Sequence, residues 1–305
     1  MANRTPLFSR AQPGGVFTIS DVVNHPGNIW WVDSATGVDG AGYGQNPDAP
    51  CATWNYAYDL ATASQGDVIY LMPGHNEAII NATTIVLDTA GITTIGLGRG
   101  RNRPIIDFDN TASKIIVSGA NQRISNVIFN ASVASCVLAI DVNASDFELD
   151  NCYFTWESTG DEFISMVDVS TVDRVYLHDN VFETEEAAGA ATEAIRMVAA
   201  GDLRIEKNIF RGTWTGSVIF GITTLSPRLM VLDNVIYNSD TSNYNCIDPG
   251  ALATTGIVAN NVITGLYTTA VAKLVRVASL MWLRNTVSNN VGERGALLVP
   301  ATSSA

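Results

Sequence analysis

The sequence predicts an all-β solenoid, a coil of parallel strands, and three observations carry that expectation. One phrase recurs: VYLHDNVF at 175–182, LRIEKNIF at 203–210, LMVLDNVI at 229–236 and, more loosely, GIVANNVI at 256–263 and LMWLRNTV at 280–287. It aligns Asn180, Asn208, Asn234, Asn261 and Asn285 with gaps of 28, 26, 27 and 24 residues, and Cys152 and Val127 continue the phase backwards. A period of this length marks a repeat architecture. Within each copy apolar residues alternate with their neighbours, as in Val175/Leu177, Leu203/Ile205 and Leu229/Val231, which is the period of a strand with one buried face. The repeated Asn then suits a sharp corner, because it tolerates a left-handed backbone and its amide can bond to the Asn above and below. Antiparallel hairpins would instead want Asn-Gly or Asp-Gly turns and no long period.

Continuous repeats make the 305 residues one solenoid without an internal core boundary. A thin charged share of 15% against 47% hydrophobic suits a buried column, and a net charge of −13 argues against a general nucleic-acid binder. Four cysteines, 51, 136, 152 and 246, lack paired spacing and read as reduced thiols, with neither a disulfide framework nor a zinc site. MANRTPLFSRAQPGG has no apolar core of a signal peptide, and no run of about 18 apolar residues occurs, so assembly in a cytoplasm is expected. No cofactor motif is found.

Taken in order, residues 1–28 read as an extended arm, with Arg4 and Arg10 ahead of the first acid, placed to meet another subunit. Residues 29–83 form an N-terminal cap: a strand at Ile29–Val32, a Gly/Asp/Asn/Pro-rich loop at 36–50, a helix near Thr53–Ala63, a strand at Asp67–Met72 and a Pro73-Gly74 turn. Repeat rods need such an atypical unit to cover the open end of the hydrophobic column. Rungs are expected over 84–290, with 155–162, 183–193 and 239–255 as loops on one side of the rod. Arg99, Arg101 and Arg103 crowd one turn, and residues 291–305 form a tail with apolar Leu297–Val299.

The run Trp31-Val-Asp33, the Gly-rich loop, Pro47 and Pro50, Ala52-Thr53, then Gly66-Asp67-Val68-Ile69-Tyr70, Pro73-Gly74 and Glu77 resembles the opening of right-handed parallel β-helix proteins of the pectate-lyase-like superfamily. Combined with the MANRTP start and the IGLGRGRNRP turn at 95–104, it is similar to particle proteins of tailed bacteriophages, and in its compact length most like a head-decoration (cement) protein. The resemblance implies a right-handed coil and a structural virion protein on the phage head. It further implies a homotrimer whose partners are itself and the major capsid protein or another virion protein, with no nucleic acid or membrane.

The strand phase also places the outward side chains. One column runs Arg123, Glu148, Tyr176, Arg204, Met230, Ile257, Met281; its neighbour runs Ser125, Asp150, His178, Glu206, Leu232, Ala259, Leu283. If the chain is an enzyme, Asp150, His178 and Glu206 are the candidate acid–base group for a tailspike-like polysaccharide lyase or hydrolase. Alternating charges on adjacent rungs also serve a plain exposed sheet. Trp156 or Trp214 could stack on sugars in a glycan-binding module. Past Glu206 both columns turn apolar, so Met230, Leu232, Ile257, Met281 and Leu283 are expected to form an interface, with Arg4 and Arg10 of the arm.

Overall fold

The computed structural model describes residues 27–80, 85–185, 191–222, 225–241, 246–250, 253–266, 279–289 and 294–296. Arg4, Arg10 and nearly all of the expected arm lie outside the described residues, as do Leu297–Val299. The described chain winds into a right-handed parallel β-helix of three sheets. Sheet A has ten strands, from Ile29–Val32 to Ser279–Leu283; sheet B has ten, from Asn76–Ile79 to Arg294–Ala296; sheet C has seven, from Ile85–Leu87 to Ile247–Asp248. Each turn passes from A through a tight corner to B, then through C and back to A. Pairing is parallel in every sheet except at the last strand of B, which runs antiparallel to Thr286–Asn289.

Sheet C differs from expectation in part: Ile247–Asp248 and Glu193 fall inside the expected loops at 239–255 and 183–193, while Cys136–Val142, Phe163–Ser170 and Ile219–Gly221 lie in segments assigned neither to a loop nor to a strand. Cys136–Val142, Phe163–Ser170, Glu193–Val198, Ile219–Gly221 and Ile247–Asp248 pair in sequence along it. The alternation that would reveal them is broken. Ala139 and Ile140, Met166 and Val167, and Ala194 and Ile195 are consecutive buried pairs in the core on three successive rungs. An irregular step of this kind turns two neighbours inward and erases the period of two.

The cap also begins the coil. Ile29–Val32 and Val68–Leu71 are the first strands of sheet A, and Asn76–Ile79 opens sheet B, so rungs start inside the stretch assigned to the cap. The covering unit itself is the helix Trp54–Leu60, which buries Trp54, Ala57 and Tyr58 over the column. Thr53 Oγ1 caps it by accepting from Tyr56 N, Glu77 Oε2 accepts from Trp54 N at 2.8 Å, and Asp39 takes Ala52 N, Thr53 N and Thr53 Oγ1. These bonds satisfy amides that a helix N-terminus leaves open. Asp67, fully buried, accepts from Asn28 N, Trp30 Nε1 and Thr62 N and so ties the first strand to the helix exit.

Inside the coil, like stacks on like. Phe129, Phe154, Phe182 and Phe210 form a column with ring centroids 5.0, 4.8 and 4.9 Å apart, the last two steps at 14° and 6° between planes. That spacing is the strand separation itself, about 4.8 Å. Each wholly buried Phe stabilises by roughly 1.5–3 kcal/mol, before any gain from ring stacking.

The A-to-B corner carries the Asn column. Cys152, Asn180, Asn208, Asn234, Asn261 and Asn285 stand above one another, all buried. Asn208 Oδ1 accepts from both Asn180 N and Asn180 Nδ2, while Asn208 Nδ2 donates to Leu177 O and to Asn234 Oδ1. Asn234 and Asn261 repeat the pattern, and Asn285 Oδ1 closes it against Asn261. At the other end Cys152 N donates to Asn180 Oδ1. The left-handed backbone, however, belongs to the residue before each Asn: Asn151, Asp179, Lys207, Asp233, Asn260 and Arg284 have φ of 53, 54, 53, 55, 58 and 50°. The strained position faces solvent and accepts varied polar residues, while the ladder position requires an amide. Asn208→Ala is expected to lower stability by about 2–3 kcal/mol by orphaning buried groups on two rungs. Lys207→Gly should leave stability unchanged or raise it by up to about 1 kcal/mol by removing left-handed strain. Urea unfolding of both variants checks the pair, and equal effects would contradict this division of roles.

Candidate functional site

The strand register of sheet A places both outward columns side by side, Arg123 through Met281 and Ser125 through Leu283. Their chemistry changes halfway along. On the N-terminal rungs Asp150, 1% exposed, accepts from Arg123 Nε and Nη2 at 2.7 and 3.0 Å, from Ser125 Oγ at 2.8 Å and from Asn151 Nδ2 at 3.0 Å. Burial pushes its carboxyl up, but these bonds and the Arg123 charge outweigh it and leave the pKa lowered. His178 Nδ1 meets Asp179 Oδ2 at 2.8 Å and its Nε2 meets Glu148 Oε1 at 3.0 Å. Burial pulls the imidazole down, yet the bonds to Asp179 and Glu148 and the nearby Asp150 charge leave its pKa raised.

Glu206 accepts from Tyr176 Oη at 2.9 Å, pairs with Arg204, and has Lys207 Nζ at 3.4 Å. Burial raises its pKa and these partners lower it further than that, so the net direction is down. Tyr176 stacks on His178 at 3.9 Å, and the Arg204 guanidinium lies 4.9 Å over the Tyr176 ring.

Asp150, His178 and Glu206 are thus in register but do not share a centre. Each carboxylate is held by its own cations, and the two imidazole nitrogens face Glu148 and Asp179. Glu148, Asp150 and His178 do bring ligand atoms within 4.8 Å of one another. Both imidazole nitrogens already face carboxylates, and Asp150 is engaged by Arg123, Ser125 and Asn151. The arrangement is a chain of paired charges linking rungs.

A second cluster, on the outer face of sheet C, was not legible in the sequence. Asp141, Asp168 and Arg196 are in register on adjacent rungs. Asp141 takes Lys114 Nζ at 2.7 Å and Asn143 Nδ2 at 2.9 Å, and Asp168, 4% exposed, pairs with Arg196 Nη2. Glu193, in register with Ser165, has a raised pKa: burial is the main cause, the Arg196 charge opposes it, and the Asp168 charge adds to it. Ser165 Oγ and Glu162 Oε2 are buried without a hydrogen-bond partner. The one sequence signal was Asp168 itself, a carboxylate inside the apolar run FISMVDVS.

Other expected residues fall elsewhere. Trp214 is fully buried in the core and presents no face to a sugar, because the segment around it turns inward between sheets B and C; Trp156 is half-buried against the same core. Arg99 and Arg101 are exposed, whereas Arg103 Nη1 donates to Asn151 O and its guanidinium lies 5.8 Å from the Tyr153 ring centroid.

Past Glu206 the surface becomes apolar. Met230, Met281 and Leu283 are 37, 57 and 42% exposed, Leu232 and Ile257 are partly exposed, and Ala259 is covered. Across the Asn corner, Ile209, Val235 and Val262 of sheet B extend the patch, each 44–46% exposed. No helix among the described residues is long and apolar enough to cross a membrane.

No protein-family model matches the chain, and no curated protein matches it. Among solved structures it is similar to the deglycosylated pectin methylesterase of Aspergillus niger, with a TM-score of 0.53 and 14% identity over 92% of this chain and 91% of that one. It also matches a rhamnogalacturonan lyase, with a TM-score of 0.47 and 11% identity over 88% of this chain and 75% of that one. The likeness is one of fold. At these identities the residues of a site do not carry over.

The His178 network gives stability a pH signature. A raised folded-state pKa contributes stability that is complete below about pH 6.5 and is lost as pH rises through the folded value. The lowered pKa of Asp150 contributes stability present above about pH 3.9 and lost as pH falls through its folded value. Thermal melts of the native chain should therefore decline as pH rises above about 6.5, and His178→Phe should flatten that decline. Parallel pH profiles for the two proteins would show that the imidazole is not charged in the network.

Proposed function

We propose that the chain is a structural virion protein of a tailed bacteriophage, a head-decoration (cement) protein that binds the capsid as a homo-oligomer and is assembled in the host cytoplasm. The observation that supports this best is the division of sheet A. Its charged half is committed to internal ion pairs, and its other half exposes an apolar patch that wraps onto sheet B. A contiguous patch of this kind is typical of an interaction surface. A stack of identical parallel rungs makes a stiff block, and each bound copy would stabilise a shell by mass action. The cap motif resembling phage particle proteins and the basic arm at 1–28 agree with fastening to the capsid protein or another virion protein.

A second reading has its own observation. Glu193, its pKa raised chiefly by burial, lies on the same strand as Arg196, which pairs with Asp168, and two carboxyl groups of unlike environment are what polysaccharide cleavage uses. Purified protein mixed with undecorated phage heads is expected to sediment with them, and a chain lacking residues 1–28 should not. A free protein that instead shortens a bacterial polysaccharide, with activity lost in Glu193→Gln and Asp168→Asn, would replace the first reading by the second.

A further inference from the structure

We propose that the apolar A-to-B corner is a twofold interface, in which a second copy of this chain packs antiparallel about Asn260. The inference rests on the self-associating role proposed above and names its partner and geometry.

It starts from the charges on the corners. Among the described residues, eight of the sixteen non-glycine left-handed residues are charged, and six of those charges are paired within the chain. Arg174 binds Asp146 at 2.6 and 2.8 Å, and Arg228 binds Asp202. At the A-to-B corner Asp179 meets His178 at 2.8 Å and Lys207 meets Glu206 at 3.4 Å. Among the described residues, two corner charges break this rule: Asp233 and Arg284 make no ion pair. Both are exposed, both stand in the same corner column, and neutral Asn260 lies on the rung between them. Their immediate exposed neighbours, Leu232, Val235, Val262 and Leu283, belong to the apolar patch.

Two opposite charges one rung either side of a neutral centre are self-complementary under a particular operation. A twofold axis tangent to the surface at Asn260 and perpendicular to the rod places a second copy alongside and exchanges the rung before it with the rung after it. Asp233 then faces the partner's Arg284, and Arg284 faces the partner's Asp233. The same operation keeps sheet A opposite sheet A and sets Leu283 against the partner's Leu232. Every contact occurs twice, as an isologous interface requires. A ring of parallel rods cannot do this. It holds each residue at the height of its own copies, leaving Asp233 and Arg284 about 9.6 Å apart along the axis. The overlap spans three rungs, so the contact is small and the pair should dissociate on dilution.

Sedimentation velocity of the full chain over a concentration series, with Asp233→Arg, Arg284→Asp and the double reversal, tests the geometry. Arg already occupies this left-handed column at position 284, so the substitution at 233 is compatible with the backbone, and thermal melts check that each variant folds. Native chain should show a monomer–dimer equilibrium. Each single reversal sets like charges against each other twice and should weaken it by roughly tenfold or more. The double reversal should restore it. An equimolar mixture of the two single variants should associate more tightly than either alone, because the mixed pair regains both ion pairs. A trimer, a monomer at all concentrations, or a dimer indifferent to the reversals would overturn the twofold inference. Binding to phage heads is read separately by co-sedimentation, so loss of this interface and loss of the decoration role are distinguishable.

Discussion

The structure depends on one repeated constraint, the buried amide at the A-to-B corner. An unpaired amide there would cost several kcal/mol on each rung, and what removes the cost is another amide one rung away. Asn208 is satisfied because Asn180 and Asn234 lie above and below it in the same rotameric state. The bond length therefore enforces the rung spacing, and the rung spacing allows the phenylalanine column behind the corner to stack nearly face to face. Toward the N-terminus the column changes to Cys152 and Val127, small apolar residues that need no partner.

A parallel stack brings outward residues of adjacent rungs within reach, so like charges in a column would repel and opposite charges lock. Sheet A follows this rule through Arg123, Asp150, Glu148, His178 and Glu206, and the exposed corners follow it through Asp146, Arg174, Asp202 and Arg228. In such a surface, titrating groups with shifted pKa values report fastening between rungs. Two places depart from it. On sheet C a partly buried acid lies on the strand of a carboxylate–arginine pair, and at the C-terminal corner two opposite charges stand apart among exposed aliphatic side chains. These departures mark where the rod is built for something besides its own stability.

The two ends of the rod accordingly have different surfaces. The N-terminal end is closed by a helix whose Trp54 and Tyr58 plug the column and whose first turn is held by Asp39, Thr53 and Glu77. Toward the other end sheet A gives up its charges and presents methionine and leucine. An acidic protein with net charge −13 would remain dispersed through most contacts, so association is favoured where charge is locally absent.

The sequence by itself determined the repeat, the parallel coil, the Asn ladder and the outward columns of sheet A down to the residue, because each follows from a period that local chemistry imposes. Alternation decides which side chains face out, and a recurring Asn decides where the corner lies. Tertiary structure alone decided three things. It placed the left-handed strain on the residue before each Asn, since the ladder amide must point inward and its neighbour absorbs the turn. It made a third sheet from segments whose paired inward residues hide the alternation. It also separated Asp150, His178 and Glu206 into different ion pairs and gathered Asp168, Glu193 and Arg196 instead. Register alone does not reveal which of several nearby cations a carboxylate will choose, because that choice is made by side chains reaching across rungs.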